Sequence, residues 1–144
     1  MKKKLINLKN RKRLIKSFSI SNILKQSMTT KSDLEFLADK LDLDVKISWL
    51  KDADPNYKGM QIINLGNPLI GGSHWVASYK NMYFDPFGLY PPEKFKNHEW
   101  IPLQIQNFNF GQCGNYCILW LYYAKIGEID KFYNLFDIDP NLKD

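Results

Sequence analysis

The sequence is poor in cysteine and histidine, with two of each among its 144 residues: Cys113 and Cys117, His74 and His98. Two cysteines are too few for the disulfide framework of a small secreted domain, which favours a reducing, intracellular setting. The spacing of the cysteines also differs from the C-x₂-C hook of structural zinc sites, and the sequence has no second hook. We therefore expect neither a disulfide scaffold nor a metal site.

Long hydrophobic runs are missing as well. The longest apolar run, residues 117–124, is far shorter than the roughly 20 residues that a membrane-spanning helix needs. Lysines and arginines interrupt the N-terminal residues, where a signal peptide would have its apolar segment. With 44% hydrophobic and 15% aromatic residues, the chain has the composition of a globular protein with its own core. We expect a soluble protein with no membrane partner.

Acidic residues are missing from the first 16 positions, which carry eight of the 20 lysines and arginines. The remaining 128 residues therefore hold 12 basic and 15 acidic groups, so the positive net charge belongs to the N-terminal segment. We divide the chain into a basic N-terminal arm, residues 1–16, and a single domain, residues 17–144. Such an arm can bind the phosphate backbone of DNA, although a solvated and frayed terminus has the same composition.

Periodic apolar residues outline a helix, several strands and a second helix. Ser32 and Glu35 form the pattern of a capping box, and the leucines that follow at helical spacing predict a helix over Asp33–Leu41. Alternating residues or short apolar runs predict strands over Val45–Trp49, Met60–Leu65, Ser73–Tyr79, Met82–Asp85 and Trp100–Ile105. The segment Cys113–Lys125 is apolar almost all round, as expected of a buried helix, and a short helix follows near Ile129–Phe136.

This order of elements predicts an α+β fold. Strands that are separated by short turns favour an antiparallel or mixed sheet, with the helices grouped on it. The buried helix that begins at Cys113 would pack against this sheet.

Cys113 lies where a polar loop gives way to the apolar helix, so its thiol is expected at the N-terminus of that helix. The positive end of the helix dipole and the N–H groups there lower the pKa of a thiol and favour the nucleophilic thiolate. Gly114 would let a substrate carbonyl approach the backbone. The structural alternative is a small buried residue at the start of a core helix, and Cys117, one turn further on, is given that interpretation.

A nucleophilic thiol needs a base, and His74 is the better of the two candidates. It follows a glycine-containing loop, residues 66–72, and lies at the start of a predicted strand. His98 lies in a charged, surface-like stretch and is set aside. A single histidine on a strand is more often structural than catalytic, so the case for His74 depends on its neighbours.

The base in turn needs an acid that orients it, and strand geometry points to Asp85. A two-residue turn at Lys80–Asn81 would place Val76 opposite Asp85. Because side chains alternate along a strand, His74 lies on the same face as Val76. Asp85 and His74 would then be diagonal neighbours across the hairpin. An aspartate that opens a turn before Pro86 is the structural alternative.

Acyl transfer also requires hydrogen-bond donors for the developing oxyanion. Gln106 precedes Cys113 by seven residues, and its side-chain amide could supply one donor, with the backbone N–H of Cys113 as another. Gln104 and Gln112 are alternatives that the residue pattern does not separate from Gln106.

Three segments together resemble a known family. They are G-G-S-H-W at residues 71–75, F-D-P-F-G at residues 84–88, and Gln106 followed by C-G-N-Y-C at residues 113–117. In this order they resemble the adenovirus-type (adenain-like) cysteine endopeptidases, which belong with the SUMO proteases among the papain-related cysteine peptidases. Within this group, the three motifs resemble most those of the maturation proteases of adenoviruses, virophages and polinton-like elements. The resemblance covers residues 71–123.

The resemblance implies a papain-related fold and a role for each matched residue. It makes Cys113 the nucleophile, His74 the base, Asp85 the orienting acid and Gln106 the oxyanion glutamine. It also implies that Trp75 lines a narrow substrate channel that favours glycine. The expected substrates are then Gly-rich sites in capsid or virion precursor proteins, inside the virion or in the host cytoplasm or nucleus.

The resemblance implies no metal and no organic cofactor, and leaves DNA, bound through the basic arm, or a peptide as the candidate activator. Two alternatives remain open at this point. The same catalytic residues would serve an isopeptidase that removes ubiquitin or SUMO-type modifiers. A non-catalytic relative that binds nucleic acid through the arm is the second alternative.

Overall fold

The computed structural model describes residues 30–66, 74–105 and 112–136, which form an α+β fold around a five-stranded mixed sheet. The helices are α1 (Lys31–Lys40), α2 (Cys113–Lys125) and α3 (Ile129–Asn134). The strands are β1 (Val45–Trp49), β2 (Met60–Asn64), β3 (Trp75–Tyr79), β4 (Met82–Phe84) and β5 (Glu99–Trp100). The predicted fold class, α+β, is confirmed. The predicted basic arm, residues 1–16, lies outside the described residues.

The sheet has the order β1-β2-β3-β4-β5, and its two outer pairs are parallel. The inner pairs, β2 with β3 and β3 with β4, are antiparallel. Of the two predicted arrangements, an antiparallel or a mixed sheet, the mixed sheet is therefore the correct one. The connection from β1 to β2, residues 50–59, is shorter than the dozen or more residues that a parallel crossover usually takes, so its length favoured an antiparallel pair. A 3₁₀ turn at Leu50–Asp52 begins this return.

Helix α1 begins two residues earlier than predicted, and its cap differs. The N-cap is Thr30, whose Oγ1 accepts a hydrogen bond from the Asp33 backbone N–H at 3.1 Å. The predicted capping box of Ser32 and Glu35 is therefore wrong: Ser32 lies inside the first helical turn. Thr30 and Asp33 are three residues apart, as Ser32 and Glu35 are, so a hydroxyl-to-acid capping pattern fits two starting points. The spacing of the leucines is compatible with both.

Helix α2 is buried on all sides, as its composition predicted, and it begins at Cys113. Ten of its 13 residues are buried. Trp120 stacks on Phe84 of β4 with ring centroids 5.1 Å apart, and Phe132 of α3 meets Phe84 edge-on. The Trp120 indole also donates a hydrogen bond to the Tyr133 hydroxyl at 3.2 Å. These contacts fix α2 between the sheet and α3, and so fix the position of its first residue.

The two faces of the sheet bury different clusters. Trp75, Ala77 and Phe84 belong to the main core with α1 and α2, whereas Val76 and Tyr83 face a smaller cluster on the other side. This alternation is what a pleated strand requires. No helix in the described part of the chain is long and apolar enough to cross a membrane.

The last strand is shorter than predicted. It ends at Trp100, because the chain then leaves the ladder: the Ile105 N–H donates to the Pro86 carbonyl at 3.0 Å. Residues 101–105 therefore run alongside the turn that follows β4. That turn contributes to the site described below.

Candidate active site

His74 and Cys113 lie in contact at the junction of the sheet and α2. The His74 Nδ1 is 3.2 Å from the Cys113 Sγ, although 39 residues separate them. His74 immediately precedes β3, and Cys113 is the first residue of α2. Both are buried, with 4% and 0% of their surfaces exposed. The predicted nucleophile and base are therefore brought together.

Asp85 completes a chain of three side chains. Its Oδ1 lies 2.8 Å from the His74 Nε2, and Asp85 itself is 1% exposed. The hairpin has its two-residue turn at Lys80–Asn81, with Tyr79 opposite Met82, so the predicted register is confirmed. His74 and Asp85 each lie one residue beyond the paired strands, where they meet at the open end of the hairpin.

The hydrogen bonds indicate where the imidazole carries its proton. An ionised carboxylate can only accept, so the contact with Asp85 places a hydrogen on the His74 Nε2. The Nδ1 then has its lone pair directed at the Cys113 thiol. This is the tautomer that can take a proton from the sulfur.

The turn after β4 holds the Asp85 carboxylate. The Phe87 backbone N–H donates to the same Oδ1 at 2.7 Å, and the Gly88 N–H donates to the Asp85 carbonyl at 2.8 Å. Gly88 has a φ of +71°, and a side chain there would lie 2.8 Å from the Gln104 backbone nitrogen. The glycine therefore lets this turn close against residues 103–104.

The N-terminus of α2 is suited to a negatively charged sulfur. N–H groups in the first helical turn have no partners within the helix, and no acidic side chain lies in the first turn of α2. Gln112, the residue before Cys113, makes no side-chain capping bond to the helix. A thiolate at Cys113 would be stabilised there by the helix dipole as well as by His74.

Other titratable side chains around the site stay protonated. Burial raises the pKa of the Cys117 thiol well above its usual range, and the charges of Cys113 and Asp85 add to this. Burial also raises the pKa of Tyr83, with the Asp85 carboxylate as a second cause. The pKa of Tyr116, half-buried on α2, is raised by burial and then by Cys113. Cys113 is thus the cysteine of the two that is placed to ionise.

Trp75 lines a concavity at the same end of the sheet as His74. The concavity has a volume of about 320 Å³, and Trp49, at the end of β1, and Asn64, at the end of β2, line it too. Trp49 and Asn64 also line a second concavity, of about 410 Å³, together with Leu65. Trp49 is 54% exposed.

Sequence reasoning missed Trp49 as a site residue. Val45, Ile47 and Trp49 alternate along β1, so Trp49 shares a face with the buried Ile47. The signal available in the sequence was a large aromatic residue at the end of an alternating strand. Gly66, with a φ of +56°, lies against the Trp49 ring.

The proposed oxyanion residue, Gln106, lies outside the described residues. Of its rivals, Gln104 is exposed next to the Gly88 turn, and Gln112 immediately precedes Cys113. The choice among the three glutamines remains a prediction. Within residues 30–66, 74–105 and 112–136, no cluster of histidine, cysteine and acidic residues could hold a metal ion.

Comparisons with known proteins found no match. No family model matches it, and neither a curated protein nor a solved structure is significantly similar to it. The geometry of the Cys113–His74–Asp85 site and the sequence motifs that contain these residues are therefore the features that bear on function.

Proposed function

We propose that this protein is a cysteine endopeptidase of the adenovirus type, with a papain-related fold. The observation that carries the proposal is the chain of contacts from the Cys113 Sγ to the His74 Nδ1, and from the His74 Nε2 to the Asp85 Oδ1. Three residues that are far apart in sequence meet in the order nucleophile, base, orienting acid. Each comes from a motif that resembles the family.

The first half of the reaction acylates the enzyme. The Cys113 thiol gives its proton to the His74 Nδ1, while Asp85 stabilises the imidazolium through the Nε2–H. The thiolate attacks the scissile carbonyl carbon, a C–S bond forms, and the carbonyl electrons move to the oxygen. The Cys113 N–H, with the Gln106 amide, would hold this oxyanion. Collapse breaks the C–N bond, and the imidazolium proton goes to the leaving amine.

The second half regenerates the thiol. Water gives a proton to the His74 Nδ1 and attacks the thioester carbonyl carbon. The C–S bond breaks, the carboxylic acid product leaves, and the proton returns from His74 to the Cys113 sulfur. No redox step and no external reactant other than water are needed.

The proposed substrate class is argued from the walls of the concavity that Trp75, the residue after His74, helps to line. Trp75 and Trp49 present aromatic surface there, and Asn64 adds an amide. A substrate chain without side chains can pass close to two indole rings, which suits glycine. This supports cleavage at Gly-rich sites, and the family resemblance supports capsid or virion precursors as the proteins that carry them.

The buried nucleophile agrees with a need for activation. Cys113 has no exposed surface, so a substrate carbonyl reaches its sulfur only if the site opens. The family resemblance suggests DNA bound by the basic arm, or an activating peptide, as the partner that opens the site. The proposed setting is the virion, or the cytoplasm or nucleus of the host.

The test is hydrolysis of a peptide that contains a single Gly-Gly site between polar residues, with products identified by mass. The wild-type chain, with or without added duplex DNA, should cleave it, whereas Cys113→Ala and His74→Ala should not. A ubiquitin or SUMO fusion with an isopeptide bond tests the second candidate, because the same residues would act on it. If neither substrate is cleaved and only DNA binds, the non-catalytic alternative is correct.

A further inference from the structure

The ring of Phe87 lies flat against the imidazole of His74. The ring centroids are 4.4 Å apart and the planes are inclined by 5°. Phe87 is 3% exposed, so the contact is buried. The two ring nitrogens of His74 contact Cys113 and Asp85. Phe87 covers one face of the same ring.

Phe87 is held to this position by the same turn that holds Asp85. Its backbone N–H donates to the Asp85 Oδ1 at 2.7 Å, the oxygen that also binds the His74 Nε2. The Gly88 N–H closes the turn on the Asp85 carbonyl. One short segment therefore supplies the carboxylate, a backbone donor to this carboxylate, and the ring that stacks on the base.

A cation above an aromatic face is attracted by the negative charge of that face, and the attraction grows when water is excluded. Neutral imidazole has no such attraction. The stack therefore stabilises the imidazolium that forms when the Cys113 proton moves to His74. The covered face also keeps water from the bond between His74 and Asp85.

We propose that Phe87 is a positioning residue for the Cys113–His74 pair: its ring stabilises the imidazolium and shields the bond to Asp85. This role rests on the proposed peptidase function. Phe87 has no part in proton transfer and acts through His74 alone.

Few other groups in the described part of the chain bring charge to this site. The charge of Cys113 or Asp85 acts on Cys117 and Tyr116 of α2 and on Tyr83 of β4. Burial raises the pKa of all three, so they stay neutral at pH values where Cys113 and His74 exchange a proton. The stack and the Asp85 carboxylate both contact the ring that becomes the imidazolium.

The chain offers a matched control. Phe84, on β4, stacks on Trp120 with the same 5° inclination, and it is fully buried. Phe84→Leu removes a buried parallel stack of the same kind from the core, and the imidazole is not part of that stack. Phe87→Leu and Phe87→Met remove the stack on His74 while they keep apolar volume, and Phe87→Tyr keeps the ring.

The experiment measures the rate of Cys113 alkylation by iodoacetamide against pH in these variants, together with their thermal unfolding. We expect Phe87→Leu and Phe87→Met to raise the pH midpoint of alkylation by about one unit, which is about a tenfold loss of rate at low pH. Phe87→Tyr should keep the wild-type midpoint. Phe84→Leu should lower the unfolding temperature without moving the midpoint.

The outcomes separate this inference from the proposed function. If the wild-type chain itself alkylates like a free thiol both with and without duplex DNA, the thiolate pair is absent and both proposals fail. A low wild-type midpoint that stays unchanged in folded Phe87→Leu and Phe87→Met overturns the role of Phe87 alone. The same follows if Phe84→Leu moves the midpoint as far as the Phe87 variants do.

Discussion

The thiol of Cys117 lies 3.4 Å from the carbonyl oxygen of Trp75, to which it donates a hydrogen bond. The bond joins α2, which begins at Cys113, to β3, which follows His74. Burial raises the pKa of the Cys117 thiol, so it keeps the hydrogen that this bond requires. From the sequence we interpreted Cys117 as a small buried residue of a core helix. In the structure it also donates a hydrogen bond between α2 and β3.

We expect iodoacetamide to modify one cysteine in the folded protein at neutral pH, and peptide mapping should locate it at Cys113. Cys117 should react only after unfolding, because burial raises the pKa of its thiol and keeps it protonated. Cys117→Ala should keep the fast reaction at Cys113 but unfold more easily, by about 1 to 2 kcal/mol. Fast native labelling at Cys117 would contradict this assignment.

Asp85→Asn tests the charge of the orienting acid. The amide has nearly the same shape but cannot stabilise the imidazolium as a carboxylate does, and it favours the other tautomer of His74. We expect kcat on a Gly-Gly peptide to fall at least about a hundredfold, with a smaller change in KM. Glu93→Gln, which changes an exposed acid, is the control and should leave both values unchanged. Equal activity in Asp85→Asn would remove Asp85 from the mechanism.

Gly66→Ala tests whether Trp49 contributes to substrate binding. A methyl group at Gly66 would lie 2.9 Å from the Trp49 ring, so the indole must move. Gly127→Ala is a matched control, because Gly127 also has a positive φ but has no atom within 4 Å of the added methyl. Both variants should lose similar stability, about 1 kcal/mol. Only Gly66→Ala should raise KM, and a rise in both would point to backbone strain instead.

Alkaline pH should destabilise the fold through its buried tyrosines. Burial raises the pKa of Tyr133 to about 12, and that of Tyr83 further. Between the unfolded value of about 10 and these folded values, the unfolded chain loses phenolic protons that the folded chain keeps, so stability falls as pH rises. Each such tyrosine lowers the folded-to-unfolded ratio up to about tenfold per pH unit. Denaturant unfolding at pH 9, 10 and 11 measures this slope.

Tyr133→Phe should make that slope shallower, because one titrating group is gone. The variant also loses the acceptor of the Trp120 hydrogen bond, so its stability at pH 7 should fall as well. An unchanged slope above pH 10 would show that Tyr133 does not contribute to alkaline unfolding.

Local patterns predicted the parts of the site that depend on local geometry. The two-residue turn at Lys80–Asn81 fixes the β3–β4 register, and that register brings His74 to Asp85. The buried helix beginning at Cys113 followed from its composition. Both features depend on neighbours in the chain, which a residue pattern reports directly.

Features set by contacts between distant segments were not predictable in the same way. The parallel pairing of β1 with β2 depends on how residues 50–59 return across the sheet, and their number favoured the other direction. The stack of Phe87 on His74 and the exposure of Trp49 emerge only when turns and strands are assembled. The start of α1 was missed because Thr30 and Ser32 offer the helix two similar caps.

The most direct test of the account is the pH dependence of Cys113 alkylation by iodoacetamide in the wild-type chain and in His74→Ala, with and without duplex DNA. A thiolate paired with His74 at the N-terminus of α2 should react well below the free-thiol pKa of about 8.5, and His74→Ala should lose this low-pH reaction. If both proteins react like an ordinary thiol under every condition, Cys113 and His74 do not form a catalytic pair, and the peptidase proposal is wrong.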